Sequence, residues 1–271
     1  MSDTVEIDTP IGLVSVERSG AGPDLLMLHS LLSDRNVFAP VVDELATRWT
    51  LNLIDLPGFG STPRVGASID AYADLIGALL RAGDYDPGST AVLGNGLGAF
   101  VALGTAIRHG HLFDRLVLVG CGVVFTEDQK SAFGGMIERV QQAGMDGVVD
   151  VAVRRIFSEQ YLADHPDVLA ERAQVLRRTD PAAFVDACGA LIGMDYRSGA
   201  TDVENPTLII VGTEDQATSP AMARALHTVL PNSELVEMEA VSYTHLRAHE
   251  TSRAISYAVF CLKKGGGGGG G

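Results

Sequence analysis

The chain has 271 residues, 46% of them hydrophobic and 6% aromatic, enough to bury one large core or a core with an inserted subdomain. Its net charge of −14 argues against nucleic acid or an anionic membrane surface as a partner. The cysteines Cys121, Cys188 and Cys261 lack metal or disulfide spacing, the N-terminus lacks a basic stretch followed by an apolar one, and no apolar run reaches membrane-spanning length; together these predict a cytoplasmic chain with no metal and no cofactor.

In chain order, residues 5–7 and 13–17 read as short strands around the turn formers Pro10 and Gly12. Residues 24–28, DLLML, form a buried strand that runs into His29, Ser30 and Leu31. Residues 38–47 have helical spacing, with Phe38, Val41, Val42 and Leu45 as the buried stripe. A strand at 51–54 leads into DLPGFGSTP, a loop rich in turn formers, and a helix follows at 69–81. Strands and helices alternate, as a mostly parallel, helix-covered sheet requires.

The next stretch, 90–109, reads TAVLGNGLGAFVALGTAIRH: a short apolar strand, three alternate glycines, and a helix with Phe100, Leu103 and Ile107 on one face. Two chemistries use such a turn. Dinucleotide binding would use Gly94, Gly96 and Ala99 as G-x-G-x-x-G/A, but the next strand, 116–119, ends in Gly120 and Cys121 rather than in a ribose-binding acid, and such a fingerprint opens its domain whereas several strands precede this one. The nucleophile elbow, G-x-S-x-G, fits Gly94 to Gly98 at every position except the centre. There Gly96 stands where the serine should be.

The strand ending in His29, the DLPGFG loop at 55–60, the elbow around Gly96 and DRLVLVG at 114–120 together resemble the alpha/beta-hydrolase fold over 25–119. The resemblance implies an oxyanion hole made by the backbone N–H groups of Leu97, just after the nucleophile position, and of Leu31, in the loop after His29. The family usually has glycine after that histidine, and this chain has Ser30. His29 is read as structural.

Beyond Phe125 the alternation stops, and helical patterns follow one another at 131–143, 147–157, 166–177 and 181–192. This insertion resembles the cap that many family members place over the active site. The core resumes with NPTLIIVGTED, 205–215, whose end carries Asp215 at the position of the family's triad acid, the group that orients and stabilises a histidine. Thr218 and Ser219 are better placed than Asp215 to cap the helix at 221–230, and a last strand is predicted at 234–238.

The resemblance places the catalytic histidine in the loop after that strand. Tyr243 stands there, with His245 and His249 nearby, but VSYTHLRAHET, 241–251, resembles an in-frame translation of a transposon sequencing adapter. Residues 255–262 resemble the primer that follows the adapter, and the chain ends in Lys263, Lys264 and seven glycines. The predicted organisation is therefore a doubly wound, mostly parallel α/β sheet with an inserted helical cap: 1–124 as the first part of the hydrolase core, 125–198 as cap, 199–240 as the rest of the core, and 241–271 as a non-native tail. On this reading the authentic C-terminus and its histidine are missing.

The expected function is that of an alpha/beta-hydrolase protein, ancestrally hydrolysing a small ester, lactone or related acyl compound, in which the Ser position is occupied by Gly96. The expected partner is a small, mostly apolar molecule. Two alternatives stay open: a cofactor-independent, non-covalent enzyme on the same scaffold, and a catalytically silent ligand-binding homologue. Other nucleophiles are poor: Cys121 reads as buried and structural, Ser30 has no evident base, His109 and His111 close a helix and complement its negative end, His165 falls in the cap and His227 on a surface helix.

Overall fold

The computed structural model of the chain describes residues 3–156 and 166–238. Predictions about 241–271, including His245 and His249, lie outside the described residues, as do Cys261 and His165.

Eight strands form one sheet in the order β1-β2-β4-β3-β5-β6-β7-β8. They are β1 (Asp3–Thr9), β2 (Gly12–Gly20), β3 (Asp24–Leu28), β4 (Thr50–Ile54), β5 (Ala91–Asn95), β6 (Arg115–Val119), β7 (Thr207–Gly212) and β8 (Ser233–Met238). The pairs β1–β2 and β2–β4 are antiparallel; every other pair is parallel. Because successive side chains point to opposite faces, the apolar runs of the central strands feed two cores. On one face Leu26, Leu28, Val92, Leu116, Leu118 and Ile209 pack against α2 (Ile69–Ala82) and α3 (Leu97–His109), together with Ala223 and Leu226 of α8 (Pro220–Val229). On the other, Leu25, Met27, Leu93, Val117, Val119 and Ile210 pack against Phe38 and against Val41 and Leu45 of α1 (Ala39–Leu45). At roughly 1.5–3 kcal/mol for each fully buried large aliphatic side chain, these two layers supply the main driving force for folding.

Between β6 and β7 lie α4 (Glu127–Ala143), α5 (Asp146–Ile156), α6 (Pro166–Arg178) and α7 (Pro181–Gly193). Thr126 and Gln129 close a capping box at the start of α4, satisfying two N-terminal N–H groups that would otherwise lack partners.

Two predicted elements are shorter than their patterns suggested. The helix expected over 38–47 is a 3-10 turn at Arg35–Phe38 followed by α1: the Asp34 side chain accepts from the Asn36 N–H, and Pro40 then starts a separate helix that ends at Leu45. The strand expected over 205–215 is confined to β7, because the Asn205 amide is engaged in fixing the 110–114 turn, donating to the carbonyls of Gly110 (3.0 Å) and Phe113 (2.8 Å).

The closest approach of neighbouring backbone to a glycine is at Gly98. A Cβ there would stand 2.1 Å from the carbonyl oxygen of Leu28 and 2.7 Å from that of His29, both backbone atoms. Gly98→Ala is therefore expected to cost about 3 kcal/mol or more through overpacking. In α4, an added Cβ at Gly134 meets nothing within 4 Å, and Gly134→Ala should stabilise by about 0.5–1 kcal/mol. Urea melts of the two variants beside the parent check both signs; a Gly98→Ala chain as stable as the parent would refute the contact.

Candidate active site

The sequence around Gly96 folds as a strand, a one-residue turn and a helix. Gly96 has φ 55° and ψ −116°, backbone that a residue with a side chain adopts only at a cost of about 1–3 kcal/mol. Its N–H donates to the Val119 carbonyl (2.9 Å), which fastens the turn to β6, and the Gly98 N–H donates to the His29 carbonyl (3.0 Å), which fastens α3 to the loop after β3. That second bond brings the two stretches carrying Leu31 and Leu97 together. Neither Leu31 N–H nor Leu97 N–H donates to another group among the described residues.

The loop after β3 is held by its own backbone and by His29. Leu56 N–H donates to His29 Nε2 (3.1 Å), which leaves the proton on Nδ1, facing the Ser30 carbonyl at 2.9 Å. The same carbonyl accepts from the Ser33 N–H (3.2 Å) and the Ser33 hydroxyl (3.0 Å). The His29 ring is fully buried and meets Phe59 edge-on at 4.8 Å, and burial lowers its pKa from 6.5 to about 4. With both nitrogens used and the neutral form favoured, His29 is a strut. Nearby, Asp55 is buried with Arg35 Nη1 at 3.5 Å from its carboxylate; burial raises its pKa, and Arg35 opposes the rise.

Gly96, Leu97, Ser30, Leu31, Leu32 and Thr218 line a narrow cleft that opens to solvent. Its other walls are apolar. Phe100 comes from α3, Phe125 precedes α4, Phe133 and Met136 come from α4, and Leu191 comes from α7. Phe125 packs between Phe100 (tilted, centroids 4.8 Å apart) and Phe133 (edge-on, 5.1 Å). Asp215 is buried just behind the cleft. Its Oδ1 accepts from the N–H groups of Ala217 (2.8 Å) and Thr218 (2.9 Å), and its Oδ2 from the Thr218 hydroxyl (3.1 Å), so the cleft-lining Thr218 joins the carboxylate to the elbow side. Asp215 does not cap α8; Ser219 occupies that position without a side-chain bond.

Cys121 is fully buried and its thiol pKa is pushed far up by burial, as a structural cysteine's would be. His109 departs from the expectation. Rather than serving the end of α3, its ring is shared between Asp74 (Nε2 to Oδ1, 2.7 Å) and Arg81 (Nδ1 to the guanidinium, 3.1 Å) on α2, a pairing of positions 28 to 35 residues apart that helical periodicity does not reveal. His111 lies in the 3-10 turn Gly110–Leu112, and His227 sits on α8 against the Ser233 hydroxyl (2.8 Å), away from the cleft. The sequence reading passed over Asn95, the residue before the apex: its side chain is buried, and neither its amide nitrogen nor its oxygen has a hydrogen-bond partner among the described residues.

A family model described as "Alpha/beta hydrolase family" matches residues 25–254. A pimeloyl-[acyl-carrier protein] methyl ester esterase from Chromobacterium violaceum is 31% identical over 242 residues, covering 87% of this chain and 92% of that protein. The protein of the same name from Aeromonas hydrophila is 29% identical over 248 residues, covering 87% and 94%. Among solved structures, an enol-lactonase from Burkholderia xenovorans is similar in fold (TM-score 0.84, 22% identity, 94% of this chain and 98% of that one), as is a hydrolase from Pseudomonas aeruginosa (TM-score 0.86, 20% identity, 97% and 98%).

Two outcomes follow from the buried groups. For His29, with 6.5 in the unfolded chain and about 4 in the fold, the native state binds fewer protons; its stabilisation is complete above pH 6.5 and is lost as the pH falls toward 4, on the order of 3 kcal/mol in all. The stability advantage of the parent over His29→Asn should therefore shrink across that window in pH-dependent melts, and a constant difference would contradict it. For Asn95, the near-isosteric Asn95→Leu removes an unsatisfied buried amide and should raise stability by about 1 kcal/mol; a lower melting temperature would show that the amide has a partner.

Proposed function

Because the chain belongs to the alpha/beta hydrolase family, we propose that its cleft holds the acyl part of a small ester or lactone and that residue 96 forms no acyl-enzyme. The observation that carries this reading is the lining of the cleft. Leu31 and Leu97 share it with apolar side chains at an elbow whose apex, Gly96, has no side chain. In this reading the N–H groups of Leu31 and Leu97 are the oxyanion hole, serving the oxygen on which charge would develop. Asp215 is the acid of the site, held in one orientation by Ala217 and Thr218. The helices within 125–198 act as a cap, with Phe125, Phe133, Met136 and Leu191 as the apolar wall facing the acyl chain. The relatives named as methyl ester esterases support ester chemistry as the family background. No cofactor is needed for any of these roles.

A second reading, non-covalent hydrolysis, draws on Asp215: three donors fix a carboxylate behind the cleft, where it could orient a base. The two readings share the absence of a covalent intermediate and differ in turnover.

Mixing the chain with p-nitrophenyl butyrate in stopped flow should give no burst of nitrophenol, and a fluorophosphonate should add no mass to the intact protein. A stoichiometric burst with an adduct on a cleft residue would overturn the proposal. Slow turnover without a burst that Asp215→Asn removes would favour the second reading over the first.

A further inference from the structure

A side chain at residue 96 would not enter empty space. A Cβ built on Gly96 stands 2.5 Å from Ser30 Oγ, 3.2 Å from Ser30 Cβ and 3.7 Å from Ser30 Cα. The Ser30 hydroxyl therefore already occupies the space into which any residue at the elbow apex would project. We propose that Ser30 is the polar anchor of this cleft, donating its hydroxyl hydrogen to an acyl oxygen of the bound compound from the place where a side chain at 96 would otherwise stand.

Three further observations support the assignment. Ser30 is 4% exposed and lines the cleft beside Gly96 and Leu97. Its carbonyl is held by His29 Nδ1 and by the N–H and hydroxyl of Ser33, so the residue cannot withdraw. Its own hydroxyl makes no hydrogen bond among the described residues and opens onto the cleft, so it is free to donate to a ligand that enters. The neighbouring N–H groups of Leu31 and of Leu97, the first residue of the 13-residue α3, also lack acceptors. Three residues with unengaged donors on one cleft wall favour an oxygen that only accepts: the carbonyl of an ester or lactone, or the carboxylate of the corresponding acid. A carboxylate gains more, since it accepts several donors at once and lies at the positive end of a helix.

This inference deepens the acyl-binding reading and rests on it. The test titrates the 271-residue chain with sodium hexanoate and, separately, with methyl hexanoate, by calorimetry. Ser30→Ala, which removes only the hydroxyl, should weaken hexanoate about tenfold and methyl hexanoate about threefold, whereas Ser30→Thr should retain binding. The melting temperature of unliganded Ser30→Ala should stay level or rise; a fall would mark the hydroxyl as structural and overturn the proposal. A double-mutant cycle tests the geometry independently. Gly96→Ser should lower the melting temperature more in the Ser30 chain than in the Ser30→Gly chain, and equal effects in the two backgrounds would refute the shared space. If neither compound binds the parent chain, the acyl-binding reading fails and the anchor fails with it. If both bind parent and Ser30→Ala equally, the cleft stands and only the assignment of Ser30 falls.

Discussion

One contact between two stretches of backbone holds the site together: the Gly98 N–H on the His29 carbonyl, at 3.0 Å. It requires the first turn of α3 to lie almost on top of the end of β3, with no room for a Cβ at 98. From that approach the remaining geometry follows. Leu97 lies one residue before Gly98 and Leu31 two residues after His29, so their N–H groups reach the same cleft without any side chain directing them. Such a device is insensitive to most substitutions along the two segments. It is acutely sensitive to one, because a methyl group at 98 must push the strand and the helix apart.

The loop that receives this contact is rigid because a titratable ring has been buried to brace it. His29 ties its own loop to the 55–60 loop: Leu56 N–H donates to Nε2, Phe59 meets the ring edge-on, and Nδ1 faces the Ser30 carbonyl. Desolvation is the largest influence on its protonation, and it keeps the ring neutral above about pH 4. A neutral imidazole with one acceptor and one donor nitrogen satisfies both neighbours; an imidazolium would leave Leu56 N–H facing a second donor. In the proposed reading, donors that stabilise developing charge are useful only if they do not reorganise, and this brace fixes the loop that carries one of them.

Much of the architecture was legible in the sequence, because periodicity records burial. The run 24–28 was assigned within the bounds of β3, since all four of its leucine and methionine side chains are buried and a break follows at His29. The four helices between β6 and β7, where described, match their patterns within a few residues. Periodicity failed where a single polar contact decides the local backbone. Asp34 caps a 3-10 turn and shortens α1, and Asn205 bridges to Gly110 and Phe113 instead of extending β7. The elbow was legible for a steric reason, since the flanking glycines at 94 and 98 let strand and helix approach closely. The relation of Ser30 to Gly96 was not, because it joins positions in separate elements whose distance is set by Gly98. The unpartnered amide of Asn95 was equally invisible, since a sequence shows which polar groups exist and not which of them find partners.

The two departures of this chain from the family pattern are then one steric fact seen from both sides. The resemblance places a side chain at the elbow apex and glycine after the loop histidine; here glycine is at the apex and Ser30 follows His29. With the Ser30 hydroxyl in its present place, a Cβ at 96 would stand 2.5 Å from Ser30 Oγ, so one of the two side chains would have to turn aside. Placing the side chain on residue 30 has different effects on the two segments. At the apex, φ 55° costs glycine little, so strain of about 1–3 kcal/mol that a serine would carry there is relieved. In the loop, the hydroxyl opens onto the cleft with no partner among the described residues, a donor that an acceptor entering the cleft would engage. The exchange therefore relieves backbone strain at the apex and sets a polar group on the cleft wall in place of a nucleophile.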